Sequence, residues 1–173
     1  MTSKQKGFSL IELLIVVAII LIIAAIAIPN FLRSRQSANE ANAVSTLRTL
    51  ATSQSAYYTT YGDLQGYAST MVALGPGSPC DPTHACLVDA ALACASQPCL
   101  HTGYNFYMSS TSSGVPYTDY VFTATPYTWG ATGMKNFCTS DEAMLRYELG
   151  ATASLTAAVT RPVCTNFALF QGL

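Results

Sequence analysis

Leu13-Leu14-Ile15-Val16-Val17-Ala18-Ile19-Ile20-Leu21-Ile22-Ile23-Ala24-Ala25-Ile26-Ala27-Ile28 is an unbroken run of sixteen apolar residues near the start of a 173-residue chain. Counted from Phe8 the stretch is 21 residues long, interrupted only by Ser9 and Glu12. Wound as a helix it extends about 32 Å, against roughly 30 Å for a bilayer core. Such a surface does not stay in water; it sits in lipid or is covered by protein. The residues before it, 1–7, carry Lys4 and Lys6 as their only charges. A secretory signal peptide would have a shorter apolar core of about 7–15 residues and a small-x-small cleavage site. Here Pro29-Asn30-Phe31-Leu32 leads instead into further helical pattern. A plain membrane anchor gives no reason for Glu12, since a charge inside a membrane helix costs about 2.5–3.5 kcal/mol and marks a functional site.

These residues carry a resemblance. Lys6-Gly7-Phe8-Ser9-Leu10-Ile11-Glu12-Leu13-Leu14-Ile15-Val16-Val17-Ala18-Ile19-Ile20, followed by Pro29-Asn30-Phe31, resembles the N-terminus of type IV pilins and their pseudopilin relatives over about thirty contiguous residues. The resemblance implies a cleaved leader (1–7), cut between Gly7 and Phe8 by a membrane-embedded prepilin peptidase, and N-methylation of Phe8. It implies assembly into a helical filament of identical or homologous subunits by an ATP-driven inner-membrane machine. It also implies loss of regular helix around Pro29 in the filament.

Some of this chemistry is legible without the resemblance. Cleavage before Phe8 leaves a cationic amine at the start of an apolar helix, with Glu12 at i+4 on the same face. Its carboxylate then has a partner in its own amine or a neighbour's, and an unpaired carboxylate in an apolar bundle costs several kcal/mol. The bland alternative has Glu12 snorkelling near the headgroups. Pro29 removes one helix hydrogen bond.

From Asn30 to about Tyr61 the pattern stays helical but turns polar. Val44, Leu47, Ala51 and Tyr58 form an apolar stripe, and Gly62 is the expected stop. The expected organisation is therefore a leader at 1–7, a membrane or filament-core helix at 8–29, an amphipathic spine at 30–61 and a β-rich head at 62–173. In the head, Tyr104–Met108 and Tyr117–Ala124 read as strands joined by a turn at Ser109–Pro116, and Asn136–Thr139 and Leu145–Glu148 suggest a second hairpin. The alternation of Asp119, Val121 and Thr123 with Tyr120, Phe122 and Ala124 is that of a half-buried strand. Gly75–Pro79 reads as loop and Ala85–Ala95 as a short helix. The fold class expected is α+β: a long helix packed on an antiparallel sheet of about four strands.

All six cysteines, Cys80, Cys86, Cys94, Cys99, Cys138 and Cys164, lie in the head. An even count beyond an export segment points to three disulfides in an oxidising compartment. Of fifteen pairings, Cys80–Cys86 and Cys94–Cys99 as local clasps and Cys138–Cys164 as a long staple are favoured. The last would tie down the segment after Gly150, which has little strand or helix pattern. The rival is a metal site using His84 and His101 with the cysteines, but the spacing is not that of a standard zinc module. No metal or other cofactor is expected.

Only 10% of the residues are charged, against about a quarter in an ordinary domain, while half are apolar and mean hydropathy is +0.31. This excludes a disordered chain. Lys+Arg number 8 and Asp+Glu 9, which argues against a general nucleic-acid binder. Removing 1–7 takes two lysines and leaves net −3; residues 62–173 hold three basic and seven acidic residues, net −4. Arg33, Arg35 and Arg48 lie on the helix, and because Arg33 and Arg35 flank its far end, counting cations does not orient the span. Leader and cysteines together place the head in the periplasm and then outside the cell. Motifs for nucleophilic, zinc-dependent or phosphate chemistry are absent from the sequence. Asp141-Glu142 reads as a solvated turn rather than a catalytic pair, and the ten tyrosines as core and strand residues.

The function expected is a structural pilus subunit and not an enzyme, serving adhesion, motility or DNA uptake. The nearest alternative is a pseudopilin of a type II secretion system, forming a short periplasmic piston; the acidic calcium-binding C-terminal pattern of the major pseudopilin is not seen. An alternative of another class is a membrane-anchored enzyme or binding protein with a pilin-like start.

Overall fold

The computed structural model describes residues 8–170. The chain divides between Arg35 and Gln36 into two compact units, each described by itself. One helix, α1 (Leu10–Gln65), contributes to both. In the first unit it is the only element among the described residues, and it runs through Pro29. The ring there withholds the N–H that would bond the Ala25 carbonyl, a loss one position of a long helix tolerates.

In the second unit the rest of α1 packs on a sheet. Its buried face is Ala43, Leu47, Leu50, Gln54 and Tyr57, spaced four, three, four and three, the step of one helix side. The expected stripe is thus shifted: Tyr58 is exposed and Tyr57 takes the core position. Tyr57 also donates its phenol to the Pro82 carbonyl at 2.7 Å. Gln54 is fully buried, and its amide both donates to the Ala68 carbonyl (3.1 Å) and accepts from the Ala68 N–H (2.9 Å). A buried amide needs such pairing, and here it staples the chain after the helix back onto the helix.

The helix passes the expected stop at Gly62 and ends at Gln65. Gly66 terminates it with φ +73, and a Cβ there would lie 2.2 Å from the Tyr117 carbonyl oxygen. Only glycine allows both the left-handed turn and that approach. The Tyr67 N–H and Tyr117 N–H then bond to Tyr117 and Gln65 carbonyls across the junction. A short helix, α2 (Met71–Leu74), follows, capped by the Thr70 hydroxyl.

The sheet has six antiparallel strands in sequential order, not four: β1 (Cys99–His101), β2 (Tyr104–Ser109), β3 (Val121–Pro126), β4 (Phe137–Ser140), β5 (Leu145–Tyr147) and β6 (Ala168–Leu169). The two outermost have only three and two residues, too short for an alternation to register. Tyr104, Phe106 and Met108 of β2, Phe122 and Ala124 of β3 and Phe137 of β4 face α1 in one core.

Three further expectations are corrected. The strand expected from Tyr117 begins only at Val121, because Tyr117 is spent on the Gly66 junction and Asp119 on the loop before the strand. That strand is not half-buried: every residue from Val121 to Pro126 is buried. The chain after Gly150 covers its other face, with Leu155 and Val159 N–H groups bonded to the Thr125 and Thr123 hydroxyls and Val121, Cys138, Val159 and Cys164 forming a second apolar cluster. This segment contains helix α3 (Arg161–Thr165) as well as β6. Ala85–Ala95 is not a helix. The N–H groups of Ala85, Cys86, Leu87 and Val88 are taken by carbonyls of Ala73, Gly75 and Leu74, which leaves none for a helical ladder.

The cysteines pair as Cys80–Cys86, Cys94–Cys99 and Cys138–Cys164, and none is free. The third joins β4 to α3.

Candidate functional site

The sequence places the chemistry at the start of α1. Gly7 and the leader at 1–7 lie outside the described residues. Phe8 is exposed, at 75% of its full surface. Ser9 immediately precedes the first helical residue, and the Leu13 N–H bonds its carbonyl at 3.2 Å. The Glu12 carboxylate accepts from the Ser9 backbone N–H at 3.0 Å. This is one arm of a capping box, in which an acidic residue at the third helical position reaches back to satisfy an otherwise unpaired donor. The Ser-x-x-Glu signature at 9–12 was present in the sequence and went unread there. It means Glu12 is never a bare charge in the uncut chain: the backbone at the helix start holds it, and a carboxylate there also sits well in the helix dipole.

Beyond Glu12, the large side chains from Leu13 to Ile28 are each 46–66% exposed. α1 is long and apolar enough here to cross a membrane, and none of the apolar window is buried. Twelve large aliphatic residues stand in this run. With about half of each side chain still to be covered, the drive to bury them is on the order of 10–20 kcal/mol. Pro29 closes the run inside the helix.

The second unit was searched for a rival site. No group of three or more His, Cys, Asp or Glu side chains gathers among the described residues. His101 packs toward Phe106 with ring centroids 6.5 Å apart, and His84 Nδ1 lies 3.0 Å from the Thr83 hydroxyl. Asp141 and Glu142 do sit in the β4–β5 turn, but ion-paired rather than merely solvated: Asp141 takes Arg161 in a fork at 2.7 and 3.1 Å, and Glu142 takes Arg146 at 3.2 Å. Clefts of about 210–240 Å³ flank Tyr57, Tyr67 and Tyr117, below the roughly 300–1,000 Å³ of ordinary ligand sites.

Two polar clusters that sequence reading missed organise this unit. Glu40 is buried, accepts from the Met134 N–H at 2.9 Å and pairs with Lys135 at 3.1 Å. Tyr104 donates to the Lys135 carbonyl (3.1 Å), and burial, with the Glu40 charge beside it, pushes its phenol far up. Asp119 is caged by the loop it follows, accepting from the Ser110 hydroxyl at 2.7 Å, the Thr111 N–H at 3.0 Å, the Ser112 N–H at 3.2 Å and hydroxyl at 3.1 Å, and the Thr111 hydroxyl. Burial alone would raise its pKa; the hydrogen bonds from Thr111, Ser110 and Ser112 outweigh it and hold the carboxyl at about 2. Pairs this distant along the chain leave no local pattern. The three cations of residues 62–173 are all ion-paired, whereas no ion pair among the described residues involves Arg33, Arg35 or Arg48.

Comparison with known proteins converges on the same end of the chain. Residues 2–28 match the family described as the prokaryotic N-terminal methylation motif. The type IV major pilin protein PilA of Myxococcus xanthus is 47% identical over 55 residues, 32% of this chain and 25% of that one. The type IV wide pilus major component PilA4 of Thermus thermophilus is 44% identical over 71 residues, 41% and 52% of the two chains. The type II secretion system core protein G of Escherichia coli is 39% identical over 44 residues, 25% and 30%. The chain thus spans about half or less of the length of these relatives. No solved structure matches it.

Proposed function

We propose that this chain, whose N-terminal helix is that of the type IV pilin family, is a structural subunit of a type IV pilus. The observation that carries the reading is the helix surface from Leu13 to Ile28, apolar on every side, uncovered, and headed by Gly7-Phe8 and Glu12. In the membrane, lipid covers this surface, with the head of 62–173 on the periplasmic side. A prepilin peptidase removes 1–7 and the new Phe8 amine is methylated. The inner-membrane machinery then moves the subunit into a bundle of identical helices, which restores the burial. One repeated heterologous contact of this kind generates an open filament. Cleavage also changes the partner available to Glu12: the Ser9 N–H holds it before the cut, and a cationic amine one residue further back competes for it afterwards. A subunit slipped along the bundle leaves both charges unpaired, so the pair sets axial register.

The test is the intact mass of the mature protein together with electron microscopy of cells with and without the gene. A chain lacking 1–7, one methyl heavier at Phe8, and surface filaments lost with the gene are expected; a protein starting at Met1 or cut after Ala27 refutes the reading. The second reading is a pseudopilin, supported by the likeness to the secretion core protein. It predicts the same mass, no surface filaments, and lost secretion on deletion.

A further inference from the structure

The loop between β3 and β4 is bound to the stretch of α1 that directly follows the apolar run. That run ends at Ile28, and Gln36, eight residues later, donates from its side-chain amide to the Gly130 carbonyl. Asn39 donates to the Thr132 carbonyl at 2.9 Å, and Glu40 takes the Met134 N–H and the Lys135 ammonium. Eight residues span about 12 Å as helix and at most about 28 Å in any conformation. Whatever holds Ile28 therefore keeps this loop close to it.

The loop is rigid and carries a distinctive set of side chains. Gly130 N–H bonds the Gly133 carbonyl at 2.9 Å, Thr132 N–H bonds the Thr128 carbonyl at 2.9 Å, and Trp129 bridges to Gly133. Tyr127 and Met134 are 61% and 56% exposed, and Trp129, the only tryptophan of the chain, is partly exposed. Between Ile28 and Gln36, Arg33 and Arg35 are exposed and take part in no ion pair among the described residues. Indole and phenol rings favour the headgroup level of a bilayer, where an apolar body and a polar tip are both satisfied. Guanidinium groups just outside the core attract anionic lipid.

We propose that this loop is a membrane-surface anchor. While the apolar helix is in lipid, Trp129, Tyr127 and Met134 enter the headgroup layer and Arg33 and Arg35 meet anionic headgroups, holding the folded unit against the bilayer in one orientation before assembly. The proposal rests on the reading of residues 8–29 as a membrane helix. Lipid is chosen over a second copy because the chain itself ties the loop to the end of the lipid-seeking run and because the free cations lie there, while the head's own cations are neutralised.

The single tryptophan makes the test direct. The full chain is reconstituted in vesicles of phosphatidylcholine and phosphatidylglycerol, and Trp129 emission is recorded. Phospholipid brominated near the glycerol end of its acyl chains should quench at least about twofold more than phospholipid brominated near the chain ends, the signature of a ring at the interface. Iodide in the water should quench weakly, and the double variant Tyr127→Ser, Met134→Ser should halve the shallow quenching. Insertion is read separately by resistance to carbonate extraction. Extractable protein overturns the membrane-helix reading and the anchor with it. Inserted protein whose Trp129 is open to iodide and untouched by brominated lipid overturns the anchor alone. Protection that appears only once filaments form seats a second copy on the loop and overturns it equally.

Discussion

Replacing Asp119 by Asn should make the folded unit both less stable and indifferent to mild acid. The wild-type carboxylate collects hydrogen bonds from Ser110, Thr111 and Ser112, which hold it at about 2 against an ordinary 3.8. A depressed acid contributes stability in full above its unfolded pKa and loses it as pH falls through the folded one. The contribution here is about 2.5 kcal/mol, fully present above about pH 4 and gone near pH 2. For a unit of this size that corresponds to roughly 5–10 °C in Tm. Asn is near-isosteric but presents an amide donor where the wild type presents an acceptor to hydroxyl and backbone donors. Thermal unfolding of the full chain in detergent, followed by near-ultraviolet circular dichroism from pH 2 to 7, should show the two proteins far apart at pH 7 and converging between pH 4 and 2. A gap that stays constant across this range would refute the linkage, and no gap at pH 7 would refute the cage as a source of stability.

Cysteine removal comes next. Cys138→Ser with Cys164→Ser opens a 27-residue loop and should cost about 3.6 kcal/mol on the chain-entropy account, read as a lower urea midpoint; non-reducing peptide mapping of the wild type should find the three cross-links and no free thiol. Gly133→Ala should destabilise strongly, because its Cβ would lie 2.1 Å from the Tyr104 hydroxyl, and Tyr104→Phe in the same chain should recover part of the loss. Glu12→Ala should be inserted and cut normally yet join filaments poorly, with Glu12→Asp milder; wild-type numbers of filaments from Glu12→Ala at equal expression would remove the register role.

How far the sequence carried the fold depended on whether a segment's pattern and its tertiary fate agree. The apolar run could only be covered by something outside the soluble fold, so sixteen residues in a row were decisive. The clasps Cys80–Cys86 and Cys94–Cys99 are short loops in which proximity along the chain is proximity in space, and the structure pairs them so. The helix stripe failed by one residue at Tyr58 because seven-residue steps drift about the helix axis; the true face alternates steps of four and three. At Gly62 composition suggested a stop, but the reason a helix must end is a clash elsewhere, and that clash, with Tyr117, is at Gly66.

β3 marks the deeper limit. Its alternation of small polar and large apolar residues is what one exposed and one buried face would produce, yet both faces are closed. Thr123 and Thr125 are polar not to meet water but to bond the N–H groups of Val159 and Leu155. Those N–H groups belong to a segment with too little regular pattern of its own to give a strand or helix signal. Each half of the arrangement is explained by the other: an irregular covering chain has unpaired donors, and a strand beneath it needs hydroxyls to receive them, because donors buried without partners cost on the order of 1–3 kcal/mol each. A threonine on a strand face is therefore ambiguous between solvent and a covering loop until the covering loop is located. Here the Cys138–Cys164 cross-link, which joins the neighbouring strand to that segment, was the sequence signal that could have located it. Reading the long staple as a statement about which sheet face is covered, and not only about which residues are linked, would have turned β3 from half-buried to buried on both sides before any coordinates were known.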